Sequence, residues 1–249
     1  MIQKLKNILT SKVFANYSHM TISQLVNVVV SLCIYPIVIR ILGAEVYGVY
    51  VFAVAIMYNM KVFVDFGLTT PVVKRFIDCN CDREGENKVV TVVVMVRCAF
   101  FMLLFGLLLL TVSCVPLLRD NACVYAVVAM QIVADIFSFA WVYQARQKMH
   151  IVTYINICAK VVSIPLILLF VKSPSDLYVF ALLNSAFLLL GAFFVTMHLL
   201  RVEKLRLVRV TTNEVKSILA EGLPFISSDL IGTIRNEVAV LFVGSYLGM

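Results

Sequence analysis

Seven long apolar runs constrain the fold of this chain more than any other feature. A membrane helix needs about 20 mostly apolar residues to cross the hydrocarbon core of a bilayer. Runs of about that length lie near residues 19–39, 46–65, 89–112, 122–144, 151–171, 176–198 and 223–245. They are continuous and do not alternate as barrel strands do. Because lipid offers the backbone no hydrogen-bond partner, each run is predicted to be a helix.

The composition supports the same class of protein. Hydrophobic residues make up 62% of the 249 residues, charged residues only 14%, and the mean hydropathy is +0.99. Soluble domains are closer to half apolar and one quarter charged. We therefore predict an all-α, polytopic membrane protein.

The distribution of Lys and Arg predicts the orientation. Most of them fall in the N-terminal segment and in the loops at residues 66–88, 145–150 and 201–222, and the loops of the opposite side hold only Arg40, Arg119 and Lys172. Short loops rich in Lys and Arg tend to remain in the cytoplasm. The N-terminus is therefore predicted to be cytoplasmic. The net charge of +7 follows from this topology, so no nucleic-acid partner is expected.

Four cations fall inside predicted spans, where each costs about 2.5 to 3.5 kcal/mol near a helix centre. They are Lys61, Arg97, Lys160 and Arg235. One explanation is internal pairing with the carboxylates of Asp65, Asp135, Asp229 and Glu237. The other is a water-filled cavity that receives an anionic group, for which Arg offers bidentate phosphate contacts and Lys a point charge. Both explanations are compatible with the sequence.

No pattern of soluble enzyme chemistry competes with this interpretation. The chain has no phosphate-binding glycine loop and no recognisable Ser, His and Asp set. Cys79 and Cys81 lack two further ligands at zinc spacing. We expect no catalytic residue, metal or cofactor. A membrane-embedded glycan polymerase or transferase remains an alternative, although the short outer loops leave little room for its site.

Four short segments carry a family resemblance. Residues 40–48 (RILGAEVYG), Phe52-Ala53, Asp65-Phe66-Gly67-Leu68 and residues 221–225 (EGLPF) resemble the Wzx-type polysaccharide or O-antigen flippases. These belong to the multidrug/oligosaccharidyl-lipid/polysaccharide exporter superfamily, and the resemblance covers their N-terminal part. It implies two six-helix lobes related as a parallel repeat. A cation-coupled multidrug exporter of the same superfamily is the alternative, but it usually needs acidic residues in its cavity.

The resemblance also implies a domain organisation and partners. Residues 1–200 would form the first six-helix lobe, 201–222 a basic cytoplasmic linker, and 223–249 the first helix of a truncated second lobe. In the linker, Thr211 to Glu214 form a capping pattern that predicts a short helix, which Gly222 and Pro224 would end. The expected partners are an undecaprenyl-pyrophosphate-linked oligosaccharide, the lipids of the bacterial cytoplasmic membrane and the polysaccharide polymerase machinery.

The candidate site combines this substrate class with the charges of the chain. We predict that Arg97, Lys160 and Arg235 contact the pyrophosphate. Lys61, Lys74 and Arg75 would form the cytoplasmic entrance. Asp135 would pair with a cation or couple transport to an ion.

Overall fold

The described chain consists of α-helices and connecting turns. The computed structural model describes the backbone of residues 12–79 and 82–246, and the side chains of residues 18–79, 82–115, 118–228, 231 and 232. The helices are α1 (Lys12–Leu42), α2 (Ala44–Asp65), α3 (Thr69–Asp78), α4 (Arg83–Cys114), α5 (Pro116–Arg119), α6 (Ala122–Phe137), α7 (Ala140–Ala145), α8 (Met149–Phe170), α9 (Leu177–Arg201) and α10 (Thr212–Tyr246), with a 3₁₀ turn at Pro174–Asp176. Within those ranges there is no β-strand.

Six segments of the described chain are long and apolar enough to cross a membrane, as predicted from the first six runs. They are Ser18–Leu42, Ala44–Asp78, Arg83–Cys114, Ala122–Ala145, Met149–Phe170 and Pro174–Arg201. The fourth segment is divided at Phe139, whose φ of 45° is left-handed and separates α6 from α7. The prediction of an all-α polytopic membrane protein is therefore confirmed.

The chain divides into two compact units. Unit 1 contains the described residues of Met1–Met57 and Phe105–Leu205, and unit 2 those of Tyr58–Leu104 and Arg206–Met249. Two of the three boundaries fall inside α2 and α4, and the third follows Leu205, between α9 and α10. The predicted division at residues 200 and 222 follows a different criterion, the position of the basic linker, and remains a prediction.

Unit 1 has a core in which α9 packs against α6 and α8, and α1 packs against α8. Val128, Ile132, Phe180 and Val195 are fully buried there. A buried hydrogen bond joins α6 to α9, because the Gln131 amide donates to the Ser185 hydroxyl at 3.2 Å. These contacts fix the three long helices that carry the polar groups described below.

In unit 2, α10 packs against α3. Thr211 donates from its backbone N–H and its hydroxyl to the Glu214 carboxylate at 2.7 and 3.0 Å, which confirms the predicted capping pattern. The predicted end of this helix at Gly222 and Pro224 is wrong, because α10 runs through both residues. The continuation of α10 past Pro224 is compatible with the seventh predicted span, because membrane helices tolerate an internal proline. That span remains a prediction.

Candidate functional site

A small polar cavity opens among α1, α8 and α9 of unit 1. Its volume is about 90 Å³. The walls are formed by Asn27, Asn156, Ala159, Lys160, Ser163, Asn184, Phe187 and Leu188. Lys160 is the twelfth of the 22 residues of α8, so its Cα lies about 17 Å along the helix axis. The cavity therefore lies at the level of the membrane-spanning helices.

The polar groups of this cavity are not neutralised by their surroundings. The Lys160 ammonium and the side-chain amides of Asn27, Asn156 and Asn184 form no hydrogen bond or ion pair within the described part of the chain. The Ser163 hydroxyl is satisfied locally, since it donates to the Lys160 carbonyl at 2.7 Å. Asn27 and Asn156 are exposed, and Lys160 and Asn184 are half-buried. Water or a ligand can therefore reach these groups, which lowers the cost of placing them within membrane-spanning helices.

Helix α9 lies close to α8 beside the cavity. A Cβ added to Gly191 of α9 would be in ordinary van der Waals contact with the Asn156 Oδ1, at 3.4 Å. The sequence alone placed Asn156 one turn before Lys160 on the same helix face, but it gave no indication that Asn27 and Asn184 would meet them.

Arg97 lies in unit 2 and is paired there. It is only 5% exposed. Its Nη2 lies 3.0 Å from an Asp65 carboxylate oxygen and donates to the Thr69 hydroxyl at 3.2 Å. Its Nε has no hydrogen-bond partner among the described residues. The structure thus pairs Arg97 with one of the carboxylates that the sequence offered, and it adds Thr69, which sequence reasoning missed.

The other predicted site residues lie in different surroundings. Arg75 of α3 contacts α10, with its Nη1 2.7 Å from the Glu221 carboxylate and 2.9 Å from the Ser217 hydroxyl. Lys74 is exposed, and Lys61 and Asp135 are half-buried. The side chain of Arg235 lies outside the described residues. Their predicted roles remain predictions.

A second charged cluster, at the ends of α7 and α9, was not predicted from the sequence. Glu203 is 6% exposed and accepts hydrogen bonds from Arg146 and from Lys148, the latter at 2.7 Å. Burial acts to raise the pKa of Glu203, but the hydrogen bond from Lys148 and the charge of Arg146 outweigh it, so the pKa is lower than usual. The only sequence signal is one acid among the basic residues that follow α9.

A helical membrane protein with a polar, cation-containing cavity is the class that this fold and site define. The chain belongs to the polysaccharide biosynthesis protein family, whose model matches residues 13–249. It is 21% identical over 227 residues to a protein named "Putative O-antigen transporter" from Escherichia coli (strain K12), covering 91% of this chain. The chain spans 55% of the length of that relative. No solved structure gives a significant match.

Proposed function

We propose that this protein moves an undecaprenyl-pyrophosphate-linked oligosaccharide from the inner to the outer leaflet of the bacterial cytoplasmic membrane, for polysaccharide biosynthesis. Family membership and the transporter name of the relative support the transport class. The lipid-linked substrate is our own assignment. It rests on the placement of positive charge within membrane-spanning helices.

The observation that carries the proposal is the Lys160 ammonium, which has no partner in the described structure and faces a polar cavity. A fixed cation at this depth reduces the cost of bringing a phosphate group into the membrane. Charge-assisted hydrogen bonds to phosphate are about twice as strong as neutral ones. Lys160 is therefore proposed as a contact of the pyrophosphate.

Arg97 is proposed as a second contact, reached by exchange of partners. Its guanidinium is held by Asp65, but the Nε still has a free N–H among the described residues. Asp65 keeps 31% of its side chain exposed, so it is the accessible member of the pair. An arriving pyrophosphate would replace the carboxylate and gain the bidentate geometry that Arg provides.

The other predicted site residues are proposed to act elsewhere in transport. Lys61, Lys74 and Arg75 would attract the headgroup at a cytoplasmic entrance, since basic side chains near the membrane surface favour anionic groups. Arg235 would contribute a further cation, and Asp135 would pair with a cation or couple transport to an ion. The N-terminus would be cytoplasmic, and the polymerase machinery would receive the exported unit.

A vesicle assay tests the proposal. The protein is reconstituted with a fluorescent undecaprenyl-pyrophosphate oligosaccharide, and quenching by a membrane-impermeant reagent reports the fraction that crosses the bilayer. Lys160→Met should lower the transport rate by about 10-fold to 100-fold, since hydrogen bonds to charged groups contribute roughly 1.5 to 3 kcal/mol. Lys172→Met is the matched control, because Lys172 is exposed beyond the end of α8.

Two results would contradict the proposal. The first is that Lys160→Met leaves expression and transport at the wild-type level, which would remove Lys160 from the site. Alternatively, the glycan could grow in length without crossing the bilayer. That result would identify a glycan polymerase or transferase.

A further inference from the structure

The cavity around Lys160 is lined by three asparagine side chains whose hydrogen-bonding groups a pyrophosphate alone would not satisfy. We infer that Asn27, Asn156 and Asn184 form a subsite for the hydroxyl groups of the first sugar next to the pyrophosphate, with Lys160 at the junction between sugar and phosphate. This inference rests on the proposed function and adds a separate role for the three asparagines.

The hydrogen-bonding capacity of the cavity favours hydroxyl groups. Each asparagine brings one carbonyl acceptor and an NH₂ group with two donors. Ionised phosphate oxygens accept hydrogen bonds and donate none, so they would leave three amide carbonyls without donors. A sugar hydroxyl donates and accepts, and can therefore satisfy both ends of an amide. None of these amides is satisfied by another described residue.

The charge of the cavity leads to the same ligand. Among the described residues that line the cavity, Lys160 is the only one with an ionisable side chain. A pyrophosphate carries more negative charge than one ammonium neutralises, and full recognition would call for several cations or a bidentate arginine. One lysine beside three neutral amides suits a largely neutral group attached to a phosphate.

The size of the cavity limits how much of the sugar enters. Its volume of about 90 Å³ holds several water molecules, since one buried water needs roughly 10 to 15 Å³ by the same measure. That space accepts hydroxyl groups from one edge of a sugar ring, which replace water without loss of hydrogen bonds. Phe187 and Leu188 supply an apolar wall for the ring's C–H groups. The rest of the glycan would remain outside.

A binding experiment with two probes separates the sugar from the phosphate. The protein in detergent is titrated with undecaprenyl pyrophosphate and with the same lipid carrying one N-acetylhexosamine, and binding is followed by native mass spectrometry. The wild type should bind the sugar-bearing probe more tightly. Asn156→Leu and Asn184→Leu should each reduce this preference by about 2-fold to 10-fold, the range expected for a lost hydrogen bond.

The controls distinguish the subsite from a general loss of structure. Asn213→Leu lies at an exposed position of α10 and should leave both affinities unchanged. Lys160→Met should weaken both probes. Equal weakening of both probes by the asparagine variants would assign the amides to the pyrophosphate and overturn the subsite. Unchanged affinities in those variants would overturn it as well.

The result is independent of the transport assay. If the wild type transports nothing but the asparagine variants still lose the sugar preference, the proposed function fails and the sugar subsite stands. If transport is normal and the preference does not depend on the amides, the proposed function stands and the subsite fails. Thermal unfolding of each variant identifies any that is misfolded. If Asn156→Leu is misfolded, the milder Asn156→Ser replaces it.

Discussion

Gly222 of α10 lies directly against Phe66, so that a Cβ added to Gly222 would lie 2.7 Å from the Phe66 carbonyl oxygen and 2.8 Å from a Leu68 methyl carbon. A distance of that kind leaves no room for a side chain. The two residues belong to the segments DFGL and EGLPF, which carried part of the family resemblance. Within unit 2, these segments form one helix contact.

Gly222→Ala should therefore destabilise the protein. In a helix, Ala is normally favoured over Gly by about 1 kcal/mol, but overpacking at a tight contact costs about 1 to 3 kcal/mol. Gly232→Ala is the control on the same helix, because no described residue lies within 4 Å of its added Cβ. We expect a lower unfolding temperature for Gly222→Ala only. A fall of equal size in both variants would contradict the contact.

Gly67 allows a second test of the same contact, with the backbone strain held constant. Its φ is +65°, and an added Cβ would lie 2.5 Å from the Ile226 nitrogen. Gly43 has a φ of +84°, but no described residue lies within 4 Å of its added Cβ. Ala at either position carries the cost of a left-handed backbone. Gly67→Ala should lower the unfolding temperature more than Gly43→Ala, and equal effects would mean that strain alone accounts for the loss.

The ion pairs of unit 2 should differ in strength according to their burial. Arg97 keeps only 6% of its side chain exposed beside Asp65, which keeps 31%, whereas Arg75 and Glu221 keep 31% and 44%. Removal of Asp65 would therefore leave a buried charge, and removal of Glu221 would leave an exposed one. Removing one partner of a buried pair costs about 3 to 5 kcal/mol, and an exposed pair contributes about 0 to 1 kcal/mol. Asp65→Asn should therefore destabilise the protein far more than Glu221→Gln. The measurement is the free energy of unfolding, obtained by titration with a denaturing detergent.

The double variant provides the internal check. Replacing Arg97 by Met together with Asp65→Asn removes the stranded charge, so it should restore much of the stability lost in Asp65→Asn alone. If the double variant is less stable than either single one, the two residues act separately. The pairing would then contribute little.

The fold was predictable to the extent that lipid determines it. Run length located six membrane-spanning segments because a chain in a bilayer must be helical. The continuation of α10 through Pro224 was not predictable from local rules, which treat Gly222 followed by a proline as a helix end. The contact between Gly222 and Phe66 is formed by residues far apart in sequence, and local spacing contains no information about it.

The sequence predicted several residues of the candidate site, but it did not predict which of them lie together in the structure. Charged residues inside apolar runs stand out, so Lys160 and Arg97 were identified from their positions in the sequence. Their partners depend on how each helix is rotated and which helix it packs against. For that reason the convergence of Asn27 and Asn184 on Lys160 emerged only from the structure, as did the hydrogen bond from Arg97 to Thr69.

Glu203 predicts a pH dependence of stability. Its pKa is lower in the folded protein than the unfolded value of about 4.3. The stabilisation is therefore fully present above about pH 4.3 and is lost as the pH falls through the folded pKa. Glu203→Gln should be less stable than the wild type at about pH 7, because Arg146 and Lys148 lose the carboxylate that they share.

The measurement is the unfolding temperature at about pH 7 and about pH 3.5. The difference between wild type and Glu203→Gln should shrink at about pH 3.5, because this pH lies below the unfolded pKa of about 4.3 and the unfolded chain then binds a proton at Glu203. Glu45→Gln, which removes a carboxylate at an exposed position of α2, controls for the general effect of acid. A difference that stays constant or grows on acidification would mean that Glu203 stabilises the ends of α7 and α9 through packing, and that its charge contributes little.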